Sequence, residues 1–276
     1  MNNITKDSPI GIFDSGVGGL TVLKALRKRM PYENLLYLGD TARVPYGTKS
    51  AETIIRYAIQ ATQLLVNRRI KLLVVACNTA SAVAINALRS AYNLPVIGVI
   101  KPGAKAVCDA SKIGIVAVIA TERTVDEKAY EKEIQLIRPC VSVVSKACPL
   151  FVALAEEGWV SGSLVEAIAW HYLKPLFNDS LSRSPDCLLL GCTHFPALAS
   201  AINNVLGGKI TIIDSADPTA ISTREELISQ NLLREANIGN VWTKFLSTDG
   251  SSRFFRIGKY FWSYSISADD VEIVDL

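Results

Sequence analysis

The sequence predicts an α/β protein made of two similar lobes, each a mostly parallel sheet flanked by helices, with the active site in the cleft between them. Three observations point there. Short β-branched or Leu-rich runs alternate with longer amphipathic stretches along the chain, the pattern that parallel sheets covered by helices produce. Two strand ends look alike: KLLVVACNTASAV at 71–83 and DCLLLGCTHFPAL at 186–198 each close an apolar run with Cys, then a Thr-containing step and a helix-forming stretch. The length of 276 residues is just under two domains at about 150 residues each.

In chain order, the strands expected are IGIF, NLLYL, KLLVVA, LPVIGVI, IGIVAVIA, VSVVS, CLLLG and ITIID. Between them, 21–30 follows a glycine turn, 50–69 opens on a Ser cap with Glu52 behind it, and 79–92 is Ala-rich and stopped by Asn-Leu-Pro, so each reads as a helix. GVIKPG around Val99–Gly103 leaves a strand through Pro and Gly and marks the crossing between lobes. The chain is expected to return around Asp214–Pro218. Residues 1–100 then form the first lobe, completed by 213–276, and 101–212 form the second. A helical stretch at 218–236 and an aromatic tail at 254–264 belong to that completion.

With 49% hydrophobic and 20% charged residues, the chain is globular rather than disordered or fibrous. A net charge of +3 is too small for a surface dominated by nucleic acid or membrane attraction. No apolar run approaches the ~20 residues of a membrane helix, and MNNITKDSPIGIFD has no export signal pattern. A cytoplasmic address is expected. The six cysteines contain no CxxC pair and read as thiols. Neither His171 nor His194 lies in a metal-ligand pattern, so no metal is expected.

Chemistry is sought where strands end and helices begin. A Cys at a strand end is ordinarily a small core residue. At a helix amino terminus, however, the free N–H groups favour a thiolate and lower its pKa. Cys77 has this setting, with Asn78-Thr79 as the cap sequence. Cys192 repeats it and adds His194 two residues on. Cys187, Cys108, Cys140 and Cys148 read as packing, as does His171 in the aromatic stretch EAIAWHYL.

Asp14-Ser15-Gly16-Val17-Gly18-Gly19 follows the first strand. It is either a tight turn or a cradle for an anion or amino acid. Asp40 stands where a ribose-binding acid would, but Thr21 replaces the third glycine of GxGxxG, so the dinucleotide match is weak. The turn Asp40–Gly47 is a surface turn or places Tyr46 on a small pocket. GTKS at 47–50 lacks the spacing of a phosphate loop. The basic run Lys24–Arg29 reads as a solvated helix face.

Together, IGIFDSGVGGLTVL, YLGDTARVPYG, VVACNTASA, ACPLFVALAEEGW and LLLGCTHFP, in that order, resemble the glutamate racemase family within the aspartate/glutamate racemases. The resemblance covers nearly the whole chain. It implies interconversion of L- and D-glutamate without a cofactor, supplying D-glutamate for peptidoglycan, in a homodimer that needs neither nucleic acid nor membrane. It implies that Cys77 handles the proton on the D face and Cys192 on the L face. Asp14 and Ser15 would lie near the α-ammonium, with Asp14 also supporting Cys77 and His194 supporting Cys192. Asn78, Thr79, Thr193 and Thr121 would hold a carboxylate, Pro45, Tyr46 and Gly47 would line the pocket, and Asp40 and Glu156 would be auxiliary acids. ATERTV departs from the family by carrying Glu122-Arg123 where smaller residues are usual, and the tail by Trp262-Ser263 after the Phe. The rival readings are a racemase for aspartate or another acidic amino acid, and a nucleotide-binding regulatory module built on DSGVGG and Asp40.

Overall fold

The structure, a computed structural model, describes residues 4–177, 184–236, 239–264, 266 and 270–276. The chain begins β1 (Ile10–Asp14), α1 (Leu20–Arg29), β2 (Leu35–Gly39), α2 (Ala51–Asn67), β3 (Leu72–Val75), α3 (Asn78–Val83), α4 (Ile85–Ala91) and β4 (Val96–Gly98). Then α5 (Ile100–Ala110) crosses to β5 (Ile115–Ala120), α6 (Glu122–Asp126), α7 (Ala129–Ile137), β6 (Ser142–Ala147), α8 (Pro149–Glu156), α9 (Ser163–Leu173), β7 (Cys187–Gly191), α10 (Ala199–Val205) and β8 (Thr211–Asp214). It returns through α11 (Ala216–Ser229), β9 (Thr243–Ser247), α12 (Ser251–Gly258) and β10 (Val271–Ile273).

Two parallel sheets result, six strands in the order β10-β9-β2-β1-β3-β4 and four in the order β6-β5-β7-β8. Their central strands β1, β2, β3 and β7 are buried end to end, because helices cover both faces, and so they read as continuous apolar runs. Successive residues nonetheless feed opposite faces. Ile10, Ile12, Leu35 and Tyr37 pack in one cluster, Phe13, Leu36 and Leu38 in another. In the smaller sheet Leu188 and Leu190 face one cluster and Leu189 the other. Each such Leu contributes ~1.5–3 kcal/mol of burial. The edge strand β6 only alternates between exposed and half-buried positions.

The helices follow their sequence signals with local adjustments. In α1, Leu20, Val22, Leu23 and Leu26 are buried, while Lys24, Lys28 and Arg29 face solvent. Arg27 departs from that solvated face and donates to the carbonyls of Pro31, Glu33 and Trp242, tying the helix to the chain around β2 and β9. Ser50 caps α2 by accepting from Thr53 N at 3.3 Å. The expected helix 79–92 is two helices meeting at Ala84, and His171, expected to pack, is exposed on α9. Ile213 and Asp214, expected with the first lobe, lie in β8 and pair with Leu189 and Leu190 of β7. After them, α11 packs Ala216, Ala220 and Leu227 into the core that α1 shares.

Candidate active site

The carboxyl ends of β1 and β3 in one sheet and of β5 and β7 in the other lead into loops that enclose a cavity of about 430 Å3. That is a small-molecule volume, toward the low end of the ~300–1,000 Å3 usual for ligand pockets. Ser15, Pro45, Tyr46, Gly47, Cys77, Asn78 and Thr79 line it from the first lobe, and Thr121, Glu156, Cys192, Thr193 and His194 from the second.

Cys77 ends the turn after β3 and is itself the cap of α3, its sulfur accepting from Ala80 N at 3.4 Å. The same sulfur lies 3.4 Å from Ser15 Oγ, to which it donates. The expectation of a lowered pKa is overturned. Burial, reinforced by the charge of Asp14, pushes the Cys77 thiol up to about 12, although its hydrogen bonds with Ser15 and Ala80 pull the other way. The physical reason is size and enclosure: α3 spans only Asn78–Val83, so its dipole is small, whereas the thiol is shut away from water.

Cys192 sits differently. Its strand enters a short 3-10 turn at Phe195–Leu198 rather than a long helix. The polar support comes from His194, whose Nδ1 is 3.9 Å from Cys192 Sγ and whose Nε2 is 2.7 Å from Glu156 Oε1 at the end of α8. Burial disfavours the imidazolium, but the hydrogen bonds and charges of Cys192 and Glu156 outweigh it and push His194 up to about 10. Phe261, from the aromatic tail, closes the far side with its ring centroid 5.7 Å from that of His194.

The two lobes meet closely around the cavity. A Cβ added at Gly18 would stand 2.5 Å from Thr193 Oγ1 and 2.7 Å from His194 Nδ1, so the turn after β1 can approach the Cys192 turn only as glycine. Gly47 likewise leaves room for Thr121, whose Cβ would be 2.9 Å from an added methyl. Thr79 and Thr121 hydroxyls join across the cleft at 2.9 Å. Arg123 reaches over as well, its backbone N donating to Gly47 O at 3.2 Å and its Nε to Lys49 O at 3.0 Å.

Comparison with known proteins sets this geometry in a family. Residues 21–221 match the family model described as Asp/Glu/hydantoin racemase. A protein named glutamate racemase from Geobacter metallireducens is 48% identical over 252 residues, 91% of this chain and 92% of that one. A glutamate racemase structure from Bacillus anthracis superposes with a TM-score of 0.90 at 38% identity, covering 98% of both chains. The chain belongs to the Asp/Glu/hydantoin racemase family. Another solved family member, the glutamate racemase of Francisella tularensis in complex with D-glutamate, gives a TM-score of 0.89 at 36% identity over 98% of each chain.

Two acids expected at the racemase-family site lie behind its wall rather than in it. Asp14 is wholly buried and accepts from Gly16 N at 3.0 Å. Burial holds its carboxyl above the ordinary range, against the charge of His194. Asp40 is also wholly buried and accepts from the Tyr46 hydroxyl, from Arg43 Nε at 2.6 Å and from Thr248 Oγ1 at 3.0 Å. With those partners Asp40 positions Tyr46 and has no face to offer a ribose. Val44, Thr48, Glu122, Pro149, Val152, Ala153 and Glu157 also line the cavity; each lies within a quoted stretch of sequence, but no pattern assigns it a role of its own. Among the described residues no group of three or more His, Cys, Asp or Glu is arranged to hold a metal, and no helix is long and apolar enough to cross a membrane.

Proposed function

We propose that this chain interconverts L- and D-glutamate by a two-base, cofactor-independent proton transfer, supplying D-glutamate for peptidoglycan. The observation that carries the reading is that two sulfurs, Cys77 and Cys192, one from the end of each sheet, line one cavity with room for a small molecule. Inversion at a carbon needs a base on one face and an acid on the other. In one direction the Cys192 sulfur takes the α-proton of L-glutamate while the Cys77 thiol delivers its proton to the opposite face. In the other direction the roles exchange.

The α-proton is weakly acidic, so the site must stabilise carbanion charge. The substrate keeps its α-ammonium near Ser15 and the buried Asp14, and its carboxylates meet the hydroxyls and amide of Asn78, Thr79, Thr121 and Thr193. A proton leaving Cys192 leaves its charge beside His194, which Glu156 holds in place and in the cationic form. Cys77 begins as a protonated acid because its surroundings penalise the thiolate.

The test is incubation of the purified protein in heavy water with L- or D-glutamate, and in parallel with aspartate, following circular dichroism and α-deuterium. Racemisation of glutamate with one deuterium entering the inverted product supports the reading. Turnover of aspartate alone moves it to the rival substrate, and turnover of neither overturns it.

A further inference from the structure

Tyr130 lies on α7 in the second lobe, was marked by no motif, and is buried, with 1% of its surface exposed. Its hydroxyl crosses to the first lobe and accepts from Asn78 Nδ2 at 2.7 Å. The residue it holds is the first of α3, immediately after Cys77, and lines the cavity. The Tyr130 ring also supports the other sulfur-bearing turn. A Cβ at Gly191, the residue before Cys192, would stand 2.8 Å from its Cε2. One side chain therefore touches the chain next to both sulfurs.

The second observation is an unanswered polar atom. Asn78 is 2% exposed, and its Oδ1 is buried without a hydrogen-bond partner, a condition that is unfavourable unless a ligand relieves it. An Asn amide can turn over, exchanging its donor and acceptor ends. A tyrosine hydroxyl serves both orientations, accepting from Nδ2 or donating to Oδ1. When Tyr130 instead donates to Oδ1, the Nδ2 end turns to the cavity as a donor for a carboxylate.

We infer that Tyr130 is a positioning residue of the site: it anchors the Asn78 amide so that Nδ2 can be presented to a substrate carboxylate. This rests on the glutamate-racemising reading above. Removing the hydroxyl leaves the amide without an anchor in either orientation. The expected consequence is weaker binding of substrate, with little change in the proton transfers at Cys77 and Cys192.

The experiment is a double-mutant cycle of Tyr130→Phe and Asn78→Ala, with KM and kcat measured for both glutamate enantiomers and D-glutamate affinity by calorimetry. Racemisation by the unmodified protein is measured first, and its absence defeats the functional reading and not this one. Tyr130→Phe should raise KM on the order of tenfold, the usual effect of one hydrogen bond, and keep kcat within about twofold. In the double variant the Tyr130→Phe change should add almost nothing to Asn78→Ala, because residues acting through one another are not additive. A KM within twofold of the unmodified protein, a loss confined to kcat, or a full additive effect on top of Asn78→Ala would each overturn the inference. Should Tyr130→Phe lower thermal stability, the calorimetric affinity at a temperature where it is folded decides the matter by the same criteria.

Discussion

The turns carrying Cys77 and Cys192 are close in sequence pattern and opposite in electrostatic design. The Cys77 sulfur caps a six-residue helix beside a buried carboxyl, Asp14, and is held in its neutral form. The Cys192 sulfur neighbours an imidazole that Glu156 keeps cationic. The difference teaches that a symmetric reaction does not require symmetric acids. One turn buries its thiol in a setting that favours the neutral form, and the other places a cationic imidazole beside its sulfur.

The largest expected effect removes either sulfur. Cys77→Ala and Cys192→Ala should each lower racemisation by ~10³-fold or more, at the scale of positioned acid–base groups, while Cys108→Ala keeps full turnover. Equal loss from both would confirm that each turn is indispensable whatever its surroundings. Gly18→Ala presses on the Cys192 turn alone, since the new methyl meets Thr193 and His194. A displacement approaching 1 Å there should cost up to ~10²-fold in kcat, with the turn at Cys77 intact by alkylation kinetics.

Glu156→Gln sharpens the comparison by neutralising the partner of His194. A ~10-fold fall in kcat is expected from the lost charge stabilisation, and the alkaline limb of the rate profile should move to lower pH. The same imidazole makes stability pH-dependent. Its folded pKa of about 10 lies above the ordinary 6.5, so its contribution is fully present below about pH 6.5 and is lost as pH rises through about 10. Melting temperature should decline across that interval, and His194→Asn should flatten the decline. The smallest effect is expected from Arg123→Ala. It removes the side-chain bond to Lys49 O but leaves the backbone bond to Gly47 O, and should raise KM a few-fold, on the scale of one partly exposed hydrogen bond.

Much of this was legible before any coordinates. Strand ends with Cys77 and Cys192, the glycine turn at 14–19 and the pairing of Cys192 with His194 all follow from short-range pattern. The sign of the Cys77 shift did not, because a helix amino terminus is a local feature and desolvation depends on what the rest of the chain brings over it. Asp14 and Asp40 are written into motifs and still lie behind the cavity wall, since a motif records that a side chain is needed near a site without recording which way it points. Tyr130 was invisible, the single aromatic of a short amphipathic helix, until Asn78 and Gly191 were folded against it.

The sequence by itself determined the α/β alternation, the two sheets and the identity of the paired thiols, because strand burial, turn chemistry and helix periodicity are set by neighbours within a few residues. Tertiary structure alone decided which charges face which sulfur, which acids stand back from the cavity, and that one tyrosine touches both turns. Those outcomes depend on solvent exclusion and on distances between residues far apart in the chain, and neither quantity exists until the two lobes are packed together.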